Sequence, residues 1–196
     1  MQQLFWVTNH FSPHEDVLAD RRPEIILTDK AGELLEVDAL AYPEDTHLIV
    51  DPYAVLEESK TTMGELVAEA EKTLPRPLGE IIAAKAKGLP ANRLFRLVLL
   101  DFERQRHCQA KVVEDTLRKL VWQVTLVKSR RLGLDRFELL EPCISGYRVL
   151  SCLCDQVQRM EAAGSEPPRK LIFSINQPAV LRRYQVALEN LPKDST

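Results

Sequence analysis

The seven residues from Arg96 to Phe102 read RLVLLDF, four aliphatic side chains in a row between an arginine and an aspartate. A run this apolar has no polar face to turn toward water. It predicts a strand buried on both sides, as the strands of parallel sheets are. The rest of the C-terminal half sets the class. Val113, Leu117, Leu120, Val121 and Val124 recur at helical spacing, with Arg118, Lys119 and Gln123 on the other face. A strand is expected at Phe137–Leu140 and a helix from about Tyr147 to Met160, marked by Leu150, Leu153, Cys154 and Val157. A strand over Lys170–Ile175 and a helix carrying Val180, Leu181, Tyr184, Ala187 and Leu188 close the series. Strands alternating with helices call for an α/β fold. The expectation is a three-layer α/β/α sandwich around a central mixed, mostly parallel sheet of about six or seven strands. Val37 to Ala41, Leu97 to Phe102 and Leu139 to Leu140 should form its interior.

The first half reads less regularly. Leu4 to Thr8 and Glu24 to Thr28 are strand-like, separated by a polar, irregular stretch from Asn9 to Arg22. Leu35 to Ala41 reads as a strand and Tyr42-Pro43-Glu44-Asp45-Thr46 as the turn after it. Leu48-Ile49-Val50 then leads to Asp51-Pro52, a helix-start signal. Leu56, Met63, Val67, Ala70 and Leu74 form the stripe of that helix, which Pro75-Arg76-Pro77 ends. Glu80 to Ala84 is a short strand and Lys87 to Ala91 a turn. Gly133 is expected to stop the Val113 helix, with Lys128-Ser129-Arg130-Arg131 as its solvated end. At 196 residues the chain is expected to be a single domain. Residues 1–22 would be an N-terminal strand and irregular extension, and 192–196 a loose tail.

Composition removes several classes of function. A net charge of −3 argues against nucleic acid as a partner, since phosphate binding needs clustered cations. No apolar run is long enough to span a membrane, and the start MQQLFWVTNHF lacks the basic and apolar regions of a secretory signal. A cytoplasmic location is expected. Four cysteines, with Cys152 and Cys154 only two apart, suggest buried thiols rather than disulfides or zinc. His10 and His14 stand four apart, but Pro13 lies between them and no third ligand is near, so no metal is expected. No Gly-x-Ser-x-Gly, P-loop, Gly-x-Gly-x-x-Gly or His-Glu-x-x-His string occurs, and no cofactor is called for. Glu44, Asp45 and Asp51 read as solvated loop acids, His107, just past a central strand, as a satisfied surface histidine, and Trp6 and Trp122 as core aromatics.

Several strings resemble the macro domains that bind ADP-ribose. Leu34-Leu35-Glu36-Val37-Asp38-Ala39-Leu40 resembles the family's VDAIVN strand. Gly88-Leu89-Pro90-Ala91 before Leu97-Val98-Leu99 resembles its Gly-x-Leu-Pro-Ala segment and central strand. Phe137 to Pro142 with Ile144-Ser145-Gly146 resembles the strand and loop that hold the ligand's phosphates. Ile172-Phe173 and the Tyr184 helix resemble its closing elements, so the likeness covers roughly Pro23 to Pro192.

The departures bear on function. Where the family has an Asn-Ala-Ala-Asn run and a glycine-rich loop, this chain has Ala41 to Asp45 and Leu48 to Tyr53, with no glycine between Gly32 and Gly64. A glycine loop brings backbone N–H groups close to a phosphate. Pro43 and Pro52 have none to donate, and Glu44, Asp45 and Asp51 would repel a diphosphate. The resemblance therefore implies a degenerate member, acting as a structural or protein-interaction module without tight ADP-ribose binding. The alternative is a divergent binder or hydrolase of an ADP-ribose-like nucleotide. A third reading is a small α/β enzyme using Ser145. The partners to expect are a protein or a nucleotide-like ligand. Ile144, Ser145, Gly146 and Tyr147 are the candidate ligand-binding residues, because a helix start offers unpaired N–H groups to an anion and Gly146 leaves room for one. Gly146→Val should then remove the ligand and spare the fold.

Overall fold

In a computed structural model, residues 22–49, 74–86, 89–103, 106–107 and 109–192 are described. Among the described residues, seven strands lie in one sheet: β1 (Glu24–Thr28), β2 (Ala39–Asp45), β3 (Ile81–Lys85), β4 (Arg93–Asp101), β5 (Arg106–His107), β6 (Arg131–Asp135) and β7 (Lys170–Ser174). Three helices are described: α1 (Ala110–Leu126), α2 (Gly146–Ala162) and α3 (Pro178–Glu189). The strand order is β1-β7-β6-β2-β4-β3, with β5 paired to the end of β4. β1, β7, β6, β2 and β4 run parallel, and β3 and β5 are antiparallel to β4. The sheet is thus mixed and mostly parallel.

The two faces of the sheet follow from strand alternation. Ala39, Ala41, Phe95, Leu97, Leu99, Leu132, Leu134, Leu171 and Phe173 point to one face and join the buried residues of all three helices in the main core. Leu40, Tyr42 and Leu94 point to the other, where Leu35, Val37, Ala84 and Ala91 bury them. The expected helix from Leu56 as far as residue 73, the Leu4–Thr8 strand, His10, His14, Trp6, Cys108 and the tail from 193 on lie outside the described residues.

Four local expectations need correction. The segment Tyr42–Asp45 is not a turn but the second half of β2, and every residue of that strand is buried. Pro43 is tolerated because β2 pairs with β6 only from Ala39 to Ala41; beyond that point β4 is its remaining partner among the described strands. Phe137–Leu140 is a short 3-10 turn, and the strand before it is β6. Leu140 still enters the core, while Phe102 at the far end of its run is exposed. Trp122 is not core either: its side chain is exposed on α1 beside Leu126.

The fourth correction explains the second. Helix α1 is stopped by Lys128, held in the left-handed region at φ 56°, rather than by Gly133. The N–H of Lys128 donates to the Thr125 carbonyl at 3.0 Å and that of Ser129 to the Val124 carbonyl at 3.2 Å. Helix α2 ends with the same pair of bonds around Gly164, whose φ is +76°. This is the Schellman arrangement, in which glycine meets no Cβ penalty and lysine does. Lys128→Gly is expected to stabilise the protein by about 1 kcal/mol, read as a higher urea midpoint at unchanged slope. Gly133 is instead a close-approach residue inside β6. A Cβ there would lie 2.8 Å from Leu40 Cδ1 and 3.2 Å from Val37 Cγ2.

Candidate functional site

Connections leave the C-terminal ends of β2 and β6 in opposite directions. β2 leads toward β3 and β4, and β6 toward β7. In an open parallel sheet, the crevice between two such strands is where ligands bind. The strands themselves open it: β2 and β6 pair at Ala41–Leu134 and no further. Two non-glycine residues adopt positive φ just past these strand ends, Leu48 at 59° and Arg136 at 56°. Conformations of that kind cost about 1 kcal/mol or more and tend to collect at functional edges.

The acids expected in the loop are inside this edge. Glu44 is fully buried, and Arg96 of β4 meets it with Nη2 at 2.8 Å and Nε at 3.2 Å from one carboxylate oxygen. The other oxygen accepts from the Asp45 N–H at 3.0 Å. Asp45, 1% exposed, accepts from the His47 N–H at 2.8 Å and ties β2 to the N–H of Phe102 at 3.5 Å. Neither carboxylate is a solvated acid facing a diphosphate; Asp51 lies outside the described residues. Asp38, the acid of the VDA string, sits at the opposite end of the sheet. It accepts from the Arg130 and Arg131 N–H groups, both at 2.8 Å. Burial works to raise its carboxyl, but those amides and the Arg131 guanidinium hold it below its ordinary value.

A cleft of about 680 Å³ opens over the strand ends. Leu100, Asp101 and Phe102 line it from the end of β4, Glu138, Leu139, Glu141 and Pro142 from the stretch after β6, and Gln177, Val180 and Arg183 from the start of α3. Burial pushes the Glu138 carboxyl up, and the neighbouring Asp135 adds to this; Arg136 and the N–H groups of Glu138 and Asn176 pull the other way. A second cleft of about 500 Å³ lies alongside, lined by Glu141, Ser145, Gly146, Tyr147, Arg183 and the end of α3. Glu141 and Arg183 border both clefts and pair with each other, Nε to Oε1 at 2.9 Å and Nη2 to Oε2.

Three of the four residues expected to bind a ligand, Ser145, Gly146 and Tyr147, share the second cleft; Ile144 turns into the core, 4% exposed. Ser145 caps α2: its Oγ accepts from the Arg148 N–H at 3.4 Å. The small size of Gly146 has its own explanation. A Cβ there would lie 2.8 and 2.9 Å from two atoms of the buried Tyr184 ring. That ring packs on Phe173, centroids 5.6 Å apart, and Phe173 meets Phe137 edge-on at 5.9 Å. Asp101, Glu138, Glu141 and Arg183 are cleft residues that were not among the candidates, although Glu138 and Glu141 fall within the Phe137 to Pro142 string. The signal for Arg183 was weak, since an arginine on the outer side of a helix looks like any solvated cation.

Nothing in the described part suggests a metal or a thiol nucleophile. No group of three or more His, Cys, Asp and Glu side chains there could hold an ion. Burial pushes the Cys152 thiol up to about 11, and its Sγ donates to the Glu114 carbonyl at 3.5 Å. No described helix is long and apolar enough to cross a membrane.

No protein-family model and no curated protein matches this sequence. Solved structures do match. The Oceanobacillus iheyensis macrodomain with ADP superposes at a TM-score of 0.64 with 11% identity, over 84% of this chain and 90% of that one. The Trypanosoma brucei macrodomain in complex with ADP-ribose gives 0.63 and 14%, over 87% and 72%. The chain has the macrodomain fold. The macro domain of ganglioside induced differentiation associated protein 2 agrees, at 0.58 and 17% identity over 84% and 82%. At such identities the backbone course is shared and little else, as expected of a degenerate version of the macrodomain fold. The larger cleft lies at the C-terminal end of β4, the end of an open α/β sheet where the switch-point rule looks for ligands.

Proposed function

We propose that this chain is a macrodomain-fold module that does not hold ADP-ribose tightly and serves as a structural or protein-interaction module. One observation carries the reading. Among the described residues, the cleft over the strand ends is lined by three carboxylates, Asp101, Glu138 and Glu141, and one guanidinium, Arg183, which is already paired with Glu141. A diphosphate would bring further negative charge into this wall, and repulsion rises as water is excluded. The absence of any glycine between Gly32 and Gly64 supports the same conclusion. The buried Glu44–Arg96 pair does not, since it neutralises itself. Exposed apolar side chains at Trp122 and Leu126 support an interaction role.

Isothermal titration with ADP-ribose tests this reading. The expected result is no dissociation constant in the low micromolar range, about −8 kcal/mol. Binding at that strength would favour the second reading, a divergent binder or hydrolase of an ADP-ribose-like nucleotide. What supports the second reading is the cleft itself, of a size common for ligand pockets, and solved neighbours that hold ADP or ADP-ribose.

A further inference from the structure

We infer that the Glu141–Arg183 pair is an internal latch: the Glu141 carboxylate occupies the cation that would otherwise receive an anion in the cleft beside Ser145, Gly146 and Tyr147. The inference rests on the proposed function, that the protein as it stands does not bind a diphosphate tightly.

Glu141 and Arg183 come from different elements, the stretch after β6 and helix α3, yet they meet through two bonds, Nε to Oε1 at 2.9 Å and Nη2 to Oε2. A guanidinium presents a fork that fits a carboxylate or a phosphate equally well, so one excludes the other. Among the described residues, Glu141 is the only acid lining this cleft and Arg183 the only base. That lining therefore has no net charge with Glu141 present and carries one positive charge without it. The larger neighbouring cleft differs, since Asp101 and Glu138 would remain there. Neutralising Glu141 thus opens the Ser145 side and leaves the other side acidic.

The remaining donors point the same way. Gly146 and Tyr147 are the first residues of α2, where N–H groups lack intrahelical acceptors, and Ser145 Oγ accepts from the Arg148 N–H at a long 3.4 Å. The pair reaches the surface on its Arg183 side. The Arg183 side chain is 57% exposed and that of Glu141 19%, a setting in which ion pairs contribute little to stability. Holding Arg183 in place is a role the pair can perform without being part of the fold's support.

The test is titration with inorganic pyrophosphate, and with ADP-ribose in parallel, of the parent protein, Glu141→Gln, and the double variant Glu141→Gln/Arg183→Gln. The parent should give no measurable pyrophosphate binding. Glu141→Gln should bind pyrophosphate at least tenfold tighter than the parent, and the double variant should lose that gain. Thermal melts of all three should coincide within a few degrees; Glu141→Ala serves as a second neutralising variant should glutamine keep a bond to Arg183. A Glu141→Gln and Glu141→Ala affinity equal to that of the parent overturns the latch, as does a double variant that binds as well as Glu141→Gln. Tight ADP-ribose binding by the parent would instead overturn the proposed function, so the two failures are told apart.

Discussion

Arg96→Met is expected to lower the unfolding free energy by about 3–5 kcal/mol, because it takes the guanidinium away from a buried carboxylate. Glu44 is fully buried and Arg96 is 3% exposed. Arg96 also reaches the Leu48 carbonyl at 3.3 Å, so the same side chain holds the turn after β2. For a domain of this size the loss corresponds to a fall in the thermal midpoint of about 10 °C. The companion variant Glu44→Leu/Arg96→Met removes both charges, and should recover most of the loss, since paired buried charges are often replaceable by apolar side chains of similar volume. Urea unfolding followed by circular dichroism gives both numbers. A single-variant cost below about 1 kcal/mol would mean that water reaches the pair.

The second large effect is expected at Gly146. Gly146→Val should destabilise by about 2–3 kcal/mol, since the new side chain must displace an aromatic ring from a packed core. Its Cβ alone would stand 2.8 Å from Tyr184 Cδ2, and Tyr184 is 1% exposed. The expectation that valine here spares the fold is therefore replaced by a structural one. A double-mutant cycle with Tyr184→Leu isolates the contact, and a coupling of at least about 1 kcal/mol is expected. Purely additive effects would show that the ring is not the obstacle. Ligand studies of this loop are better served by changing exposed Ser145 or Tyr147.

These two sites also mark where sequence reading succeeded and stopped. The RLVLLDF run and the helical stripes of α1, α2 and α3 were legible because burial imposes a period on the residues themselves. The end of β2 was not. Pro43-Glu44-Asp45 has the composition of a turn, and what makes it a strand is Arg96, which is remote in the chain. The clue lay in Arg96 itself: a cation leading an apolar run needs a buried counter-charge on a neighbouring strand. The start of β6 was hidden for the opposite reason. A lysine took the left-handed position where glycine is expected, and the nearby Gly133 drew the helix end past it. In the candidate site, Ser145 and Gly146 were legible as a helix start. Tyr184 filling the space above Gly146, and Glu141 holding Arg183, depend on how α3 returns across α2, which no local pattern records.

The pair β1–β7, at the edge of the sheet among the described strands, has a consequence for synthesis. β1 takes as its partner β7, nearly at the other end of the described chain, in register from Glu24–Lys170 to Thr28–Ser174. At ribosomal rates of about 5–20 residues per second, β1 waits roughly seven to thirty seconds before that partner exists. During this interval Ile25, Ile26 and Leu27 form a short aliphatic segment with nothing of β7 to pair with. Glu24, Asp29 and Lys30 flank it closely on both sides. Charges so placed discourage one nascent chain from lending its strand to another while the wait lasts.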